Sequence, residues 1–451
     1  MTLLQTCCRA AACVAGLLAL WAAPAPSHAA THTVTNCADT GAGSLRAAVA
    51  VAASGDTVDL RSLACNRIVL TSGAILIPQH SLAIRGPGYK RLAVSGNYRS
   101  SVFRHSGTGT LALRGIVIEQ GQHRGHDANG GCIYSDGSVD GNDIVVRHCA
   151  VYAVRTALGG GIYAAGNITL FYSAVYSNGA KGAGTGGGGV VLGTVAPGVL
   201  LDGHLRAHRT RFLDNTAGSG AAIRALGGVD ITYSTVANNH SRISNAIEAF
   251  GPSRIAYSTI SGNTTDGQSA AFHLPPGSSI GNSTISGNHA PFISIGYIGA
   301  GSTIANSTIV DNITVNAIEA NCFPGALLVW GDARIESSIV ARNTCNGDAG
   351  FDISGPPLSG RDPPPSPILT GADNLIGRFA LITVPADTIT NVDPLLGPLT
   401  DNGGRTLTHM PASNSLAIDR GNNALGFSVD QRGDGFPRTK GARTDIGAVE
   451  R

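Results

Sequence analysis

The side chains able to do chemistry in this chain are few and scattered. Asp214 and Asp311 precede Asn215 and Asn312 in matching contexts. Two carboxylates can act as acid and base on one bond only when both flank it. The repeat described below sets these two about four turns apart, too far to share a bond, and they read equally as solvated corner carboxylates. His204, Arg206, His208, Arg209 and Arg211 offer positive charge to an acidic ligand, or form a solvated loop. His123, Arg124, His126 and Asp127 make a similar polar segment in which a pair of histidines could hold a metal. Asp430-Gln-Arg-Gly-Asp-Gly435 lacks the alternating ligands and closing Glu of a calcium loop. Gly186 to Gly189 is followed by no Lys-Ser/Thr and is no phosphate cradle. No cofactor or metal is expected, and the elements that would position such residues carry more information than the residues do.

The net charge is +2 and the only lysines are Lys90, Lys181 and Lys440, so no basic stripe exists to neutralise phosphates and nucleic acid is not an expected partner. Gly accounts for 61 of 451 residues, about twice the usual ~7%. Charged residues are 13% and aromatics 5%, while 43% are hydrophobic. That balance excludes a coiled coil and a disordered chain.

Residues 1–30 read as an export signal: Arg9, an apolar run from Ala10 to Ala23, then Pro24, Pro26 and Ser27-His28-Ala29. The run is shorter than the ~20 residues that span a bilayer, and no transmembrane segment is expected elsewhere. Six cysteines remain beyond the signal: Cys37, Cys65, Cys132, Cys149, Cys322 and Cys345. An even count after export points to disulfides, and the sequence neighbours Cys37 and Cys65, Cys132 and Cys149, and Cys322 and Cys345 are candidate bridges between adjacent turns. Unpaired or mixed arrangements remain open.

Self-similarity is the strongest signal. The element Ser-Thr-Ile-Ser-Gly-Asn, with variants, ends at Asn178, Asn215, Asn239, Asn263, Asn288, Asn312 and Asn343. From Asn215 to Asn312 the steps are 24, 24, 25 and 24 residues, and the flanking steps of 37 and 31 hold insertions in loops. A second element, Gly-Gly-x-Ile-Tyr, runs Gly130 to Tyr134 and Gly159 to Tyr163 and decays to Ala221-Ala-Ile223 and Asn245-Ala-Ile-Glu248. Runs such as Val229 to Thr232 supply a third. Three short strands in each 24-residue turn specify an all-β parallel β-helix of on the order of twelve coils stacked at ~4.8 Å. Leucine-rich and propeller repeats lack their signatures here. Ile, Val and Leu would form buried columns, and the asparagines a column at a left-handed corner with amides bonding from coil to coil.

The cap and first coils occupy residues 31–100, the repeats 101–345, a proline-rich loop region 346–390 and a different composition 391–451. Exposed sheet edges need caps. Ser44 to Ala53 reads as a short helix capped by Ser44 that plugs the first coil. Arg432 pairing Asp419 or Asp445 would close the C-terminal block.

Asp393-Pro-Leu-Leu-Gly-Pro-Leu399, Asp401-Asn-Gly-Gly404, Thr406-Leu-Thr-His409, Leu416-Ala-Ile-Asp419, Asp430-Gln-Arg-Gly433 and Asp445-Ile-Gly-Ala-Val-Glu450 resemble the C-terminal block of the choice-of-anchor Q family of exported right-handed β-helix proteins. Gly43-Ser-Leu-Arg-Ala-Ala48 is similar to the N-terminal cap segment of such proteins. The resemblance implies a pectin-lyase-like fold and a secreted or surface-associated life, with no established activity for most members. Arg405 departs from it, standing where proline is usual, and no anchor segment follows Glu450.

The Asn-Thr-Asp, Asp-Asp and Gly-His-Gly set of polygalacturonase-like enzymes is absent, as is a Trp-Ile-Asp-His-type lyase stretch. The expected function is therefore non-catalytic: adhesion or binding of a glycan or another cell-surface ligand, with the segments near 123–129 and 179–187 as contact loops. A lyase or hydrolase with an unrecognised site and a purely structural envelope component are the alternatives. Cell surface, extracellular space and periplasm all fit, and the oligomeric state stays open.

Overall fold

In the computed structural model, which describes residues 29–182, 184–196, 199–292, 294–315, 325–356 and 365–451, the chain is a parallel β-helix. Residues 1–28 of the export signal, Cys322 and residues 357–364 of the proline-rich loop region lie outside the described residues. One coil runs Val229–Thr232, Thr235–Ala237, His240–Ser244 and Ile247–Ala249, and these strands belong to four different sheets, numbered 1 to 4 in that order. The next coil repeats them, with Asp230 beside Arg254, Thr235 beside Thr259, His240 beside Thr264 and Ile247 beside Phe272. Along the stack the described sheets reach 13, 13, 11 and 12 strands, so the solenoid has about twelve turns.

Sequence reading expected three strands per coil, and sheet 3 is the correction. Several of its members, such as Thr264–Thr265 and His289–Ala290, are two-residue strands with little apolar alternation. Only register with the neighbouring coil reveals them.

Like residues stack in columns, since a coil cannot close its own core. Ile231, Ile255, Ile280, Ile304 and Ile335 follow one another in sheet 1, and Val236, Ile260, Ile285, Ile309 and Val340 in sheet 2, all buried. The asparagines form a second kind of column. Nδ2 of Asn178, Asn215, Asn239, Asn263, Asn288 and Asn312 donates to Oδ1 of the next at 2.9 to 3.0 Å. Asn343 passes the series to Asp352 Oδ1 at 2.8 Å. The left-handed corner residues are not these asparagines but the residues before them: Ser177, Asp214, Asn238, Asp311 and Arg342 have φ of 53 to 57°. The asparagine must turn inward to reach its neighbour, so the preceding residue takes the bend. At the opposite end of sheet 2, Ser234, Ser258, Ser283 and Ser307 form a parallel column in which each amide donates to the next hydroxyl.

The corner entering sheet 4 explains the Gly-Gly motif. Gly130 and Gly159 have φ of 68 and 67°. A Cβ on Gly131 would stand 2.1 Å from Gly160 O, so the second glycine is fixed by close coil stacking.

The helix Leu45–Val51, capped by the Ser44 hydroxyl, buries Leu45, Ala48 and Val49 against the first strands. Residues 391–451 lie along the flank of sheet 2: Thr259 Oγ1 donates to Leu407 O at 2.6 Å, Thr284 Oγ1 to Gln431 Oε1 at 2.6 Å, and Ala448 N to Thr308 Oγ1 at 3.0 Å. Arg432 does not pair Asp419 or Asp445. It clamps Asp430 (Nη2 to Oδ2, 2.6 Å) because both lie on one tight turn, while Asp445 Oδ1 accepts the Asp419 amide at 2.8 Å.

Disulfides join Cys37 to Cys65 and Cys132 to Cys149, each across adjacent coils. Cys345 is disulfide-bonded as well. Disulfides persist in oxidising compartments, which fits an exported protein. Among the described residues no helix is long and apolar enough to cross a membrane.

Candidate functional site

The segments expected as contact loops are strands. Gln122–Asn129, Ala150–Leu158, Gly179–Lys181 and Gly184–Gly186 extend sheet 3 outward. Ala128, Val151, Ala157, Ala180 and Ala217 fill a small apolar seam of their own, separate from the main core. Small side chains let the projecting strand close on itself, and the result is a fin standing beside sheet 4.

Sheet 4 carries the site. Its strands are three residues long in most coils, with the outer two positions inward and the middle one outward. Parallel register puts the outward residues in one row: Leu76, Arg104, Tyr134, Tyr163, Val191, Arg224, Glu248, His273, Tyr297 and Leu328. At coil spacing the row is roughly 40 Å long. Three cavities follow it in order. The first, about 390 Å³, is lined by Leu76, Arg104, Tyr134 and Asp136. The second, about 420 Å³, lies between Tyr163, Val191 and Arg224 and the fin residues Asp127, Asn129 and Thr156. The third, about 450 Å³, is lined by Asn245, Glu248, Phe250, His273, Tyr297 and Trp330.

The row alternates stacked rings and charge. The Arg104 guanidinium sits 4.3 Å from the Tyr134 ring centre, Tyr134 stacks on Tyr163 at 5.4 Å, and His273 stacks on Tyr297 at 4.6 Å. Trp330 and Phe250, 45% and 50% exposed, stand beside its far end. Low aromatic content argues against a sugar site only when the aromatics are dispersed, and here several fall in one row.

Between the ring pairs lies an ion pair. Arg224 Nε stands 3.0 Å from Glu248 Oε2, but the two are not aligned for a hydrogen bond, and both atoms are buried with that capacity unused. Asn129 Oδ1 and Asn245 Oδ1, which line the second and third cavities, are buried and unpartnered too. Burial pushes the Glu248 carboxyl above the ordinary range, with Arg224 and His273 offsetting only part of that. A buried polar atom without a partner is costly, and a polar ligand relieves that cost.

Other sequence candidates lie elsewhere. Leu205–His208 and Arg211–Leu213 are strands of sheets 1 and 2, not an insertion; the added residues before them include the hairpin Thr194–Ala196 with Val199–Leu201. Arg209 sits between the rings of Tyr172 and Tyr233 at 5.4 and 5.9 Å. His123 Nδ1 contacts the Asn129 carbonyl at 2.9 Å and His126 pairs Asp127 at 3.1 Å, both on the fin. Asp311 is paired with Arg342 at 2.5 Å. Sequence reasoning missed Arg104, Arg224, Glu248, His273 and Tyr297. A signal existed, because Arg224 and Glu248 follow the isoleucines of the decayed copies at the position that Tyr134 and Tyr163 hold in the intact motif.

No family model and no curated protein matches the chain. It is similar to solved structures of polysaccharide-active enzymes. A pectate lyase, Pel9A, matches at 14% identity and a TM-score of 0.46, covering 94% of this chain and 97% of that one. A PL6 family alginate lyase, AlyGC, matches at 12% and 0.38, covering 84% and 55%. The catalytic unit of a GH87 alpha-1,3-glucanase from Streptomyces thermodiastaticus matches at 15% and 0.35, covering 82% and 69%.

Proposed function

We propose that this chain is an exported β-helix protein that binds a polysaccharide lengthwise in the groove over sheet 4. The observation that carries the reading is the row itself: stacked tyrosines, an imbalanced ion pair and unpartnered buried amide oxygens, all facing three cavities in line. Rings supply apolar faces for sugar rings, and the free acceptors and charges meet hydroxyls. The fin forms one wall. The proposal includes adhesion or surface association as the setting. It also includes membership of the choice-of-anchor Q group, which rests on the residue pattern of 391–451.

A second reading, cleavage of the bound chain, is favoured by one observation. Glu248 is a carboxyl held protonated to higher pH than usual, and the His273 imidazole of the next coil lines the same cavity, so a carboxylic acid and an imidazole stand together as acid–base catalysis requires. Incubating purified protein with a panel of neutral and acidic polysaccharides, and scoring co-sedimentation and chain shortening in the same tubes, tests both. Retention supports the groove. Shortening that Glu248→Gln removes while retention persists establishes the second reading, and no retention of any polymer contradicts the first.

A further inference from the structure

A separate cavity of about 340 Å³ opens on sheet 2, in coils that residues 391–451 do not cover. Its floor is apolar, made by Leu92, Ala93 and Val117. Its walls are basic. Arg67, Lys90, Arg91 and Arg147 all line it, and Glu119 is the one carboxylate among the residues that do.

The charges divide into two groups with different roles. Arg147 from the next coil and Arg67 from two coils away on the other side converge on Glu119; Arg147 Nη2 reaches Oε2 at 2.7 Å and Arg67 Nη2 bonds Oε1. Burial would raise the Glu119 carboxyl, but hydrogen bonds from Arg67 and Arg147 outweigh it and hold the group below the ordinary range. Both guanidinium groups are thereby fixed in place, with Arg147 Nη1 also donating to the Tyr176 hydroxyl at 2.9 Å. Lys90 and Arg91 have no carboxylate partner among the described residues. They sit on a turn held in place by Gly88 N to Gly115 O at 2.8 Å and Arg91 N to Gly88 O at 2.9 Å. Asp143 meets that turn only through the Tyr89 amide, at 3.4 Å.

Four cations facing one carboxylate leave a net excess of three positive charges in one cavity, whereas the whole chain carries only +2. Fixed guanidinium groups suit a planar or tetrahedral oxyanion, and the apolar floor suits a ring rather than a bare ion. The volume falls at the small end of ligand sites, ~300–1,000 Å³. We infer that this cavity binds a single acidic saccharide unit, a sugar ring bearing a carboxylate or a sulfate ester. The site is distinct from the sheet 4 groove and does not rest on it.

The test titrates glucuronate, glucose 6-sulfate and neutral glucose into the purified protein, followed by calorimetry. The same titrations are made on a Lys90→Ala/Arg91→Ala double variant and on Arg254→Ala, which alters an exposed residue of sheet 1. Both altered side chains of the double variant are exposed and unpaired, so the fold is retained, and a matching thermal melt verifies that. The expected result is binding of the two acidic sugars but not glucose, weaker at high salt, reduced at least tenfold in the double variant and unchanged in Arg254→Ala. Equal response to glucose, full binding by the double variant, or no heat with either acid would overturn the inference. Repeating the titration with oligogalacturonates separates the source: tighter binding of the oligomer assigns the site to acidic units within a chain, equal binding to free sugar acids or chain ends.

Discussion

Arg224 Nε stands 3.0 Å from Glu248 Oε2 without the alignment of a hydrogen bond, at the point where two cavities of the sheet 4 groove meet. Each residue comes from a separate coil, and each keeps unused hydrogen-bonding capacity. A pair arranged for stability alone would be aligned fork to carboxylate.

Glu248 gives the first prediction a definite sign. Burial raises its folded pKa above the ordinary ~4.3, so between those values the native state holds more protons than the unfolded chain. Stability from this site is complete below ~4.3 and declines as pH rises through the folded value. Thermal melts of wild type and Glu248→Gln should therefore differ more in favour of the variant near pH ~7 than near pH ~4. A constant difference contradicts the account.

His409 runs the other way. It is buried between the Ser286 hydroxyl at 2.8 Å and the Gly397 carbonyl at 2.6 Å, with Asp311 and Arg342 nearby. Burial holds its pKa below the usual ~6.5, so its contribution is present above that value and lost as pH falls. Limited proteolysis should release residues 391–451 more readily at pH ~5 than at pH ~7.5, and His409→Gln should flatten that dependence.

The asparagine column should be costly to interrupt. Asn263→Ala removes donations to Asn288 Oδ1 and Val236 O and takes away the Oδ1 that accepts the Asn239 backbone N–H at 3.0 Å, leaving that buried donor unpaired. At ~1–3 kcal/mol for each buried group left unpaired, the loss should be about 2–5 kcal/mol by denaturant titration. A loss under ~1 kcal/mol would show that water replaces the ladder.

Reducing the Cys132–Cys149 bond opens a loop of 17 residues, and chain entropy puts its worth at about 3 kcal/mol. Cys132→Ser/Cys149→Ser should lower the denaturation midpoint accordingly. A near-neutral result would mean that buried coil stacking already restrains this loop.

The parts legible in sequence were those repeated at fixed spacing. Ile231, Ile255 and Ile280 recur with the Asn column, so the coil length and core faces could be read directly. Sheet 3 was hidden because strands such as Thr264–Thr265 owe their existence to the neighbouring coil, not to their own residues. The left-handed bend was set one residue late, because an inward ladder and a bend make opposite demands on one side chain. The groove was the least visible, since Tyr163, Arg224 and Glu248 share a row but no residue type. Position within the decaying Gly-Gly motif, rather than chemistry, relates them.

The central claim is that the sheet 4 row holds the glycan. The direct test is calorimetric titration of an oligosaccharide from whichever polysaccharide is retained into wild type, Tyr163→Ala, Arg224→Ala and Arg254→Ala, the last altering an exposed residue of sheet 1. The account predicts at least tenfold weaker binding for Arg224→Ala, about threefold to tenfold for Tyr163→Ala and no change for Arg254→Ala. Wild-type affinity in both groove variants would contradict it.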